Sequence, residues 1–221
     1  MGCLTEFTTG INTQDTPKDC VRLNHLLSSS EYSDALADIQ ENADGDVERG
    51  YDIISTDGVI STNFVPGTGG DVELNHGRNI IGGIHNHTTD GYSMFSGEDI
   101  LKLYTYSVAN PTAEVKSIST TVVTQVGTFS LTINDRSMLS YILNTESIGL
   151  KGLNDLLNGK YQKAKTANDF KKALLDVFKE IQEGKGMPDN PVNLYEFDSF
   201  SNSFKLVTLD SNGEPKSESC I

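Results

Sequence analysis

The 221-residue chain is poor in basic residues and cysteine, and it contains no long apolar run. Lys plus Arg number 17 against 31 Asp plus Glu, a net charge of -14. Such a surface repels phosphate backbones, which argues against nucleic acid as a partner. No stretch approaches the ~18 to 20 apolar residues that a membrane span requires, so none is expected. The three cysteines, Cys3, Cys20 and Cys220, form no C-x-x-C and have no histidine at ligand spacing, which excludes a zinc knuckle. Cys20 and Cys220 are able to pair only if the protein is exported. Residues 1–17 lack the basic-then-apolar pattern of a signal peptide. Met1-Gly2-Cys3 ahead of a polar stretch is the form expected where a chain begins at the lipid-bearing cysteine of an exported, cell-envelope precursor.

Apolar residues make up 36% of the chain, and its aliphatic runs are distinct enough to build a core. Residues 1–17 are polar and without periodicity, a flexible lead-in. Helical spacing covers Asp19 to Leu27 and Tyr32 to Gln40, with Ser28–Ser30 between them. Tyr51–Ser55 and Val59–Val65 flank Asp57-Gly58, a pair that favours a type I′ hairpin turn. A loop over Gly67–Gly70 precedes a strand at Asn79–His85 and a helix from Gly97 to about Ser107. Ser117–Gln125 and Thr128–Asn134 read as a second hairpin, its first arm strongly β-branched. From Ser137 to Glu183 the pattern is helical, with breaks expected at Asn158-Gly159 and Thr166–Asp169. Val192–Phe197 and Phe204–Asp210 read as a last pair of strands. Hairpins and helices mix without regular βαβ alternation, so the fold class is α+β, in three parts: the lead-in, a core over 18–135, and a helical extension with a terminal hairpin over 136–221.

The chemistry concentrates in residues 85–99, which run His85-Asn-His87, a short loop, then Ser96-Gly-Glu-Asp99. The apolar run Ile80–Ile84 ahead of them has strand character. Side chains at i and i+2 of a strand share a face, so both imidazoles can reach one ion. A carboxylate from the next helix would complete a three-ligand site, with the fourth position open to water, as in catalytic rather than structural zinc sites. The same residues have a plainer use. Ser96 followed three residues later by an acid is a good helix start, and capping alone explains Ser96 and Asp99. It does not explain the His-x-His pair just upstream.

On these residues the segment resembles the active-site signature of the JAMM metalloproteases (also called JAB or MPN-type isopeptidases): His-x-His, a short loop, then Ser-x-x-Asp. The Met94-Phe-Ser-x-x-Asp-Ile100 form is similar to JAB-like proteins of the Bacteroidetes. The resemblance covers about residues 45–107. It implies a cytidine-deaminase-like mixed β-sheet flanked by helices, with His85, His87 and Asp99 holding zinc and Ser96 helping to hold the oxyanion. It also implies a glutamate on an earlier strand that acts on the zinc-bound water. Glu48 is the choice, because it opens the first hairpin strand ahead of a Gly-containing apolar run; Glu73 lies in a polar loop and Glu41 at a helix end. The implied reaction is hydrolysis of a peptide or isopeptide bond in a peptide or protein substrate.

Two departures stand out: Thr88 occupies the position of the family's usual proline, and the loop from His87 to Ser96 holds eight residues, about one more than the commonest eukaryotic form. Asp90 is either a partner to a histidine or a solvated loop acid. His-x-His-Thr followed by Asp-Gly is also similar to the opening motif of PHP-type phosphoesterases, but those sites need further histidines, and none occurs in the 134 residues after His87. The same absence disfavours amidohydrolase barrels. The alternative to catalysis is a non-catalytic JAB-like binding or scaffold module.

Overall fold

The computed structural model describes residues 18–89, 91, 93–113, 117–146 and 148–220. The polar lead-in over 1–17, with Cys3, lies outside them. Among the described residues, six helices and eight strands follow one another as α1 Lys18–Leu27, α2 Ser30–Glu41, β1 Arg49–Thr56, β2 Val59–Pro66, β3 Ile80–Asn86, α3 Gly97–Ala109, β4 Ser119–Thr124, β5 Gly127–Ile133, α4 Arg136–Asn144, α5 Gly149–Tyr161, α6 Ala167–Lys185, β6 Val192–Asp198, β7 Ser203–Leu209 and β8 Pro215–Ser219. The strands make one sheet in the order β2-β1-β3-β4-β5-β6-β7-β8. It is a mixed α/β fold whose sheet is mostly antiparallel.

Only β3 and β4 run parallel, with His85 beside Val122. A parallel neighbour requires a long crossover, and α3 lies within it. This crossover sets the N-terminus of α3 against the end of β3, where the histidines are. The hairpin turn has both Asp57 (φ 52°) and Gly58 (φ 81°) in the left-handed region, as a type I′ turn demands.

The sheet is covered on both faces. Adjacent residues of β4 show it: Val122 packs in a core with Leu103, Leu153 and Phe178 from α3, α5 and α6, whereas Val123 packs with Leu23, Leu36 and Ile39 from α1 and α2. Period-two alternation on a strand buried on both sides produces this division. All six residues of β4 are buried.

Two expectations change. Asn158-Gly159 is not a break but the last turn of α5, where buried Leu153, Leu157 and Tyr161 hold the helix in place. That packing outweighs the ~1 kcal/mol by which glycine disfavours a helix interior. The actual break between α4 and α5 begins at Thr145, the C-cap of α4. The terminal strands number three rather than two: β8 pairs with β7 through Leu209↔Pro215 to Lys205↔Ser219. Its sequence, Pro-Lys-Ser-Glu-Ser, lacks apolar alternation because it is an edge strand, where charge and proline are tolerated. β6 pairs with β5, so the sheet continues across the junction at residues 135 and 136. Cys20 on α1 and Cys220 just after β8 are disulfide-bonded, with Cα atoms 5.6 Å apart.

Candidate metal centre

His85 lies near the end of β3 and His87 just beyond it, where the backbone N–H of His87 donates to the Val123 carbonyl at 2.9 Å and so continues the ladder with β4. The two imidazoles therefore emerge on one face, their Nε2 atoms 3.1 Å apart. Asp99, in the first turn of α3, closes the group: Oδ1 is 3.0 Å from His85 Nε2 and Oδ2 is 3.4 Å from His87 Nε2. All three residues are at least nine-tenths buried. Ligands bound at ~2.0–2.1 Å around a tetrahedral ion stand about 3.3 Å from one another, so these separations fit a metal site without rearrangement. Among the described residues, this is the one group of three or more His, Cys, Asp or Glu side chains close enough to hold an ion.

The sequence left a helix cap and a metal ligand as competing uses of Asp99. Both geometries are present. Ser96 donates to Asp99 Oδ2 from its backbone N–H (2.7 Å) and from its hydroxyl (2.8 Å), and Ser96 Oγ accepts the Asp99 N–H at 3.1 Å. The capping box thus clamps Oδ2 and leaves Oδ1 directed at His85. Burial by itself would push the Asp99 carboxyl up, but the charge and hydrogen bonding of His85, followed by those of His87, hold it well below the usual carboxylate range. A buried carboxylate kept ionised between two imidazoles is a donor set suited to a divalent cation.

Glycine at position 50 has a specific reason. Gly50 pairs with His85 across β1 and β3, and a Cβ there would meet the Ile84 carbonyl at 2.7 Å and His85 Cβ at 3.1 Å. Continuing this register two residues toward the site brings Glu48 level with His87. Glu48 is half-buried, and that burial raises its carboxyl above the ordinary value, while the neighbouring His87 and His85 oppose the rise. Glu48 lines the same cavity of about 630 Å³ as the three candidate ligands, together with Glu73, Ser96 and Lys102. Glu41 ends α2 and does not line it. Asp90 lies outside the described residues. Thr88, in the position of the expected proline, accepts the Gly91 N–H at 2.9 Å, so a hydrogen-bonded turn begins just after His87.

Two supporting residues were not foreseen from sequence, and both come from α5. Asn154 Oδ1 accepts the Gly97 N–H at 2.8 Å, while its Nδ2 donates to Glu98 Oε1 at 2.8 Å. Tyr161 Oη donates to the Phe95 carbonyl at 3.0 Å. The helical extension therefore braces the segment carrying Ser96 and Asp99 from the side opposite β3. Asn154 is 57 residues from Gly97, and a lone Asn on a helix carries no local signal of such a role; in the fold a Cβ on Gly97 would come within 2.5 Å of Asn154 Oδ1, so glycine is what lets the amide approach. No protein-family model, curated protein or solved structure matches this chain.

Proposed function

We propose that this protein is a zinc-dependent hydrolase of the JAMM type that cleaves a peptide or isopeptide bond, with a JAB-like core over residues 18–135. One observation carries the reading: a strand-end His85 and His87 and a helix-start Asp99 converge at mutual distances of 3.0–3.4 Å, in a cavity that also holds Glu48 and Ser96. His85, His87 and Asp99 would hold the ion. Zinc, when bound, would lower the pKa of a water toward about 7 and so supply a nucleophile at neutral pH.

The remaining work falls to the chain's own groups. Glu48 receives the proton from the attacking water and passes it to the departing amine; an upward-shifted carboxyl beside the ligands suits a group that must act in both directions. Ser96 donates to the oxyanion as the carbonyl carbon becomes tetrahedral. To do so its hydroxyl must turn away from Asp99 Oδ2, and the Ser96 backbone N–H remains to hold that oxygen. The Cys20–Cys220 disulfide fits an exported protein.

The test is metal content followed by hydrolysis. The full chain refolded with zinc should retain close to one equivalent after dialysis and should cleave a mixed peptide pool. Glu48→Gln should keep the metal and lose about 10²–10⁴-fold in kcat. Retention of less than about a tenth of an equivalent would sink the enzyme reading in favour of a non-catalytic binding module. Full activity of Glu48→Gln would remove Glu48 as the base.

A further inference from the structure

The cavity around the candidate metal ligands has a strong charge bias. Five carboxylates line it, Glu48, Asp71, Glu73, Glu98 and Asp99, against the single ammonium of Lys102. Lys102 is itself engaged, donating to the Leu74 carbonyl. A bound dication would still leave this lining net negative. Asp71, Glu73 and Glu98 are exposed at the mouth, and no second group among the described residues has the spacing to hold an ion. These three acids are thus spread over a surface instead of gathered for a second metal. Glu98 is pre-oriented by the Asn154 amide. Deeper in, Thr120 is 1% exposed and lines the cavity, and its hydroxyl has no partner among the described residues. A buried hydroxyl facing a cavity needs a polar partner, a place open to water or to a polar group of a ligand.

We propose that the substrate of this site is cationic: a peptide or protein segment with lysine or arginine close to the scissile bond, its charge received by Asp71, Glu73 and Glu98. The inference rests on the hydrolase reading for the bond that is cut, though not for the charge of the segment held. Anionic substrates, such as acidic peptides, meet the same carboxylates unfavourably. The net charge of -14 on the whole chain acts in the same direction at longer range, drawing cationic chains toward the surface. Exposed ion pairs are individually weak, so three of them together should give about a tenfold preference that weakens as salt rises.

The experiment uses zinc-loaded Glu48→Gln full chain, so that binding is read without turnover. Two pools of short labelled peptides, identical except for lysine or glutamate at fixed positions, are titrated by fluorescence anisotropy at low and high salt. The lysine pool should bind about tenfold more tightly at low salt, and the margin should shrink at high salt. Adding Asp71→Asn, Glu73→Gln and Glu98→Gln should abolish most of the margin while zinc content stays unchanged. Equal binding of the pools, preference for glutamate, or a margin untouched by the three substitutions overturns the inference. The two readings fail separately. Wild-type enzyme that cuts both pools equally refutes the charge preference alone; a protein that binds the lysine pool tightly and cuts nothing supports the charge preference and refutes the hydrolase.

Discussion

Two helices of this protein begin with the same device, and only one of them is a candidate metal site. In α3, Ser96 and Asp99 form a reciprocal capping box; in α6, Thr166 and Asp169 do the same. The geometries nearly coincide. The Asp99 carboxylate accepts from the Ser96 N–H and hydroxyl at 2.7 and 2.8 Å, and the Asp169 carboxylate accepts from the Thr166 N–H and hydroxyl at 2.9 and 2.9 Å. In both boxes Oδ2 is the clamped oxygen, which leaves Oδ1 undirected by the cap. At α6 the pair is exposed. At α3 it is buried against the end of β3, and His85 stands 3.0 Å from Oδ1. A cap fixes a carboxylate; a strand that brings one imidazole to the free oxygen and a second beside the clamped one makes it a ligand set.

The largest effect should come from removing the charge at the two aspartates. Asp99→Asn should weaken zinc affinity by at least about a hundredfold, since even outer-shell partners of a metal contribute 10–100-fold. Asp169→Asn should leave zinc affinity unchanged and lower stability only slightly, as loss of an exposed cap partner does. Competition against a zinc-sensitive dye measures the first and urea unfolding the second. Equal zinc affinity in the two variants would place α3 in the same class as α6, a helix with a good cap and nothing further.

Ser96 and Thr166, the hydroxyl partners in the two boxes, separate capping from catalysis. Ser96→Ala and Thr166→Ala should each cost about 1 kcal/mol of stability as a cap is lost. Only Ser96→Ala should also reduce kcat, by about 10²–10³, as expected when an oxyanion donor is removed. Ser96→Thr, which keeps a hydroxyl in the same box, should recover much of both losses. If Ser96→Ala loses stability and keeps its kcat, Ser96 is a cap residue and takes no part in holding the oxyanion.

The two boxes also explain what was legible in the sequence. A cap is a contact between residues three apart, so Ser96/Asp99 and the break at Thr166 both show in the local string. His85 and His87 share a strand face for an equally local reason, and the Asp57-Gly58 turn is fixed by backbone preference. The support for the site is non-local. Asn154 and Tyr161 reach Gly97 and Phe95 only because α5 packs against α3, and no spacing within either segment reveals that. β8 escaped notice because an edge strand needs no apolar alternation. Asn158-Gly159 misled because glycine disfavours a helix locally, whereas buried Leu157 and Tyr161 on either side of the pair hold α5 together from outside the segment.

The smallest effect separates charge from geometry in the exposed box. Hydrogen bonds from the Lys165 backbone, then from the Thr166 side chain and backbone, hold the Asp169 carboxyl below its ordinary value. A carboxyl whose folded pKa is depressed contributes stability above its unfolded pKa and loses it as pH falls through the lower folded value. Wild type should therefore melt above Asp169→Asn at neutral pH, and the gap should close as pH falls below about 4, near the unfolded value for aspartate. Thermal unfolding of both proteins in chelator, across neutral to strongly acidic buffers, reads the gap directly. Asp99 titrates in both arms and cancels from the difference. A gap that stays constant down to the lowest pH would mean that the box at α6 works through hydrogen-bond geometry, which Asn preserves in part, instead of through charge. The box at α3 would then owe its low carboxyl pKa to the histidines alone, and the difference between the two helix starts would lie entirely in what β3 brings to Oδ1.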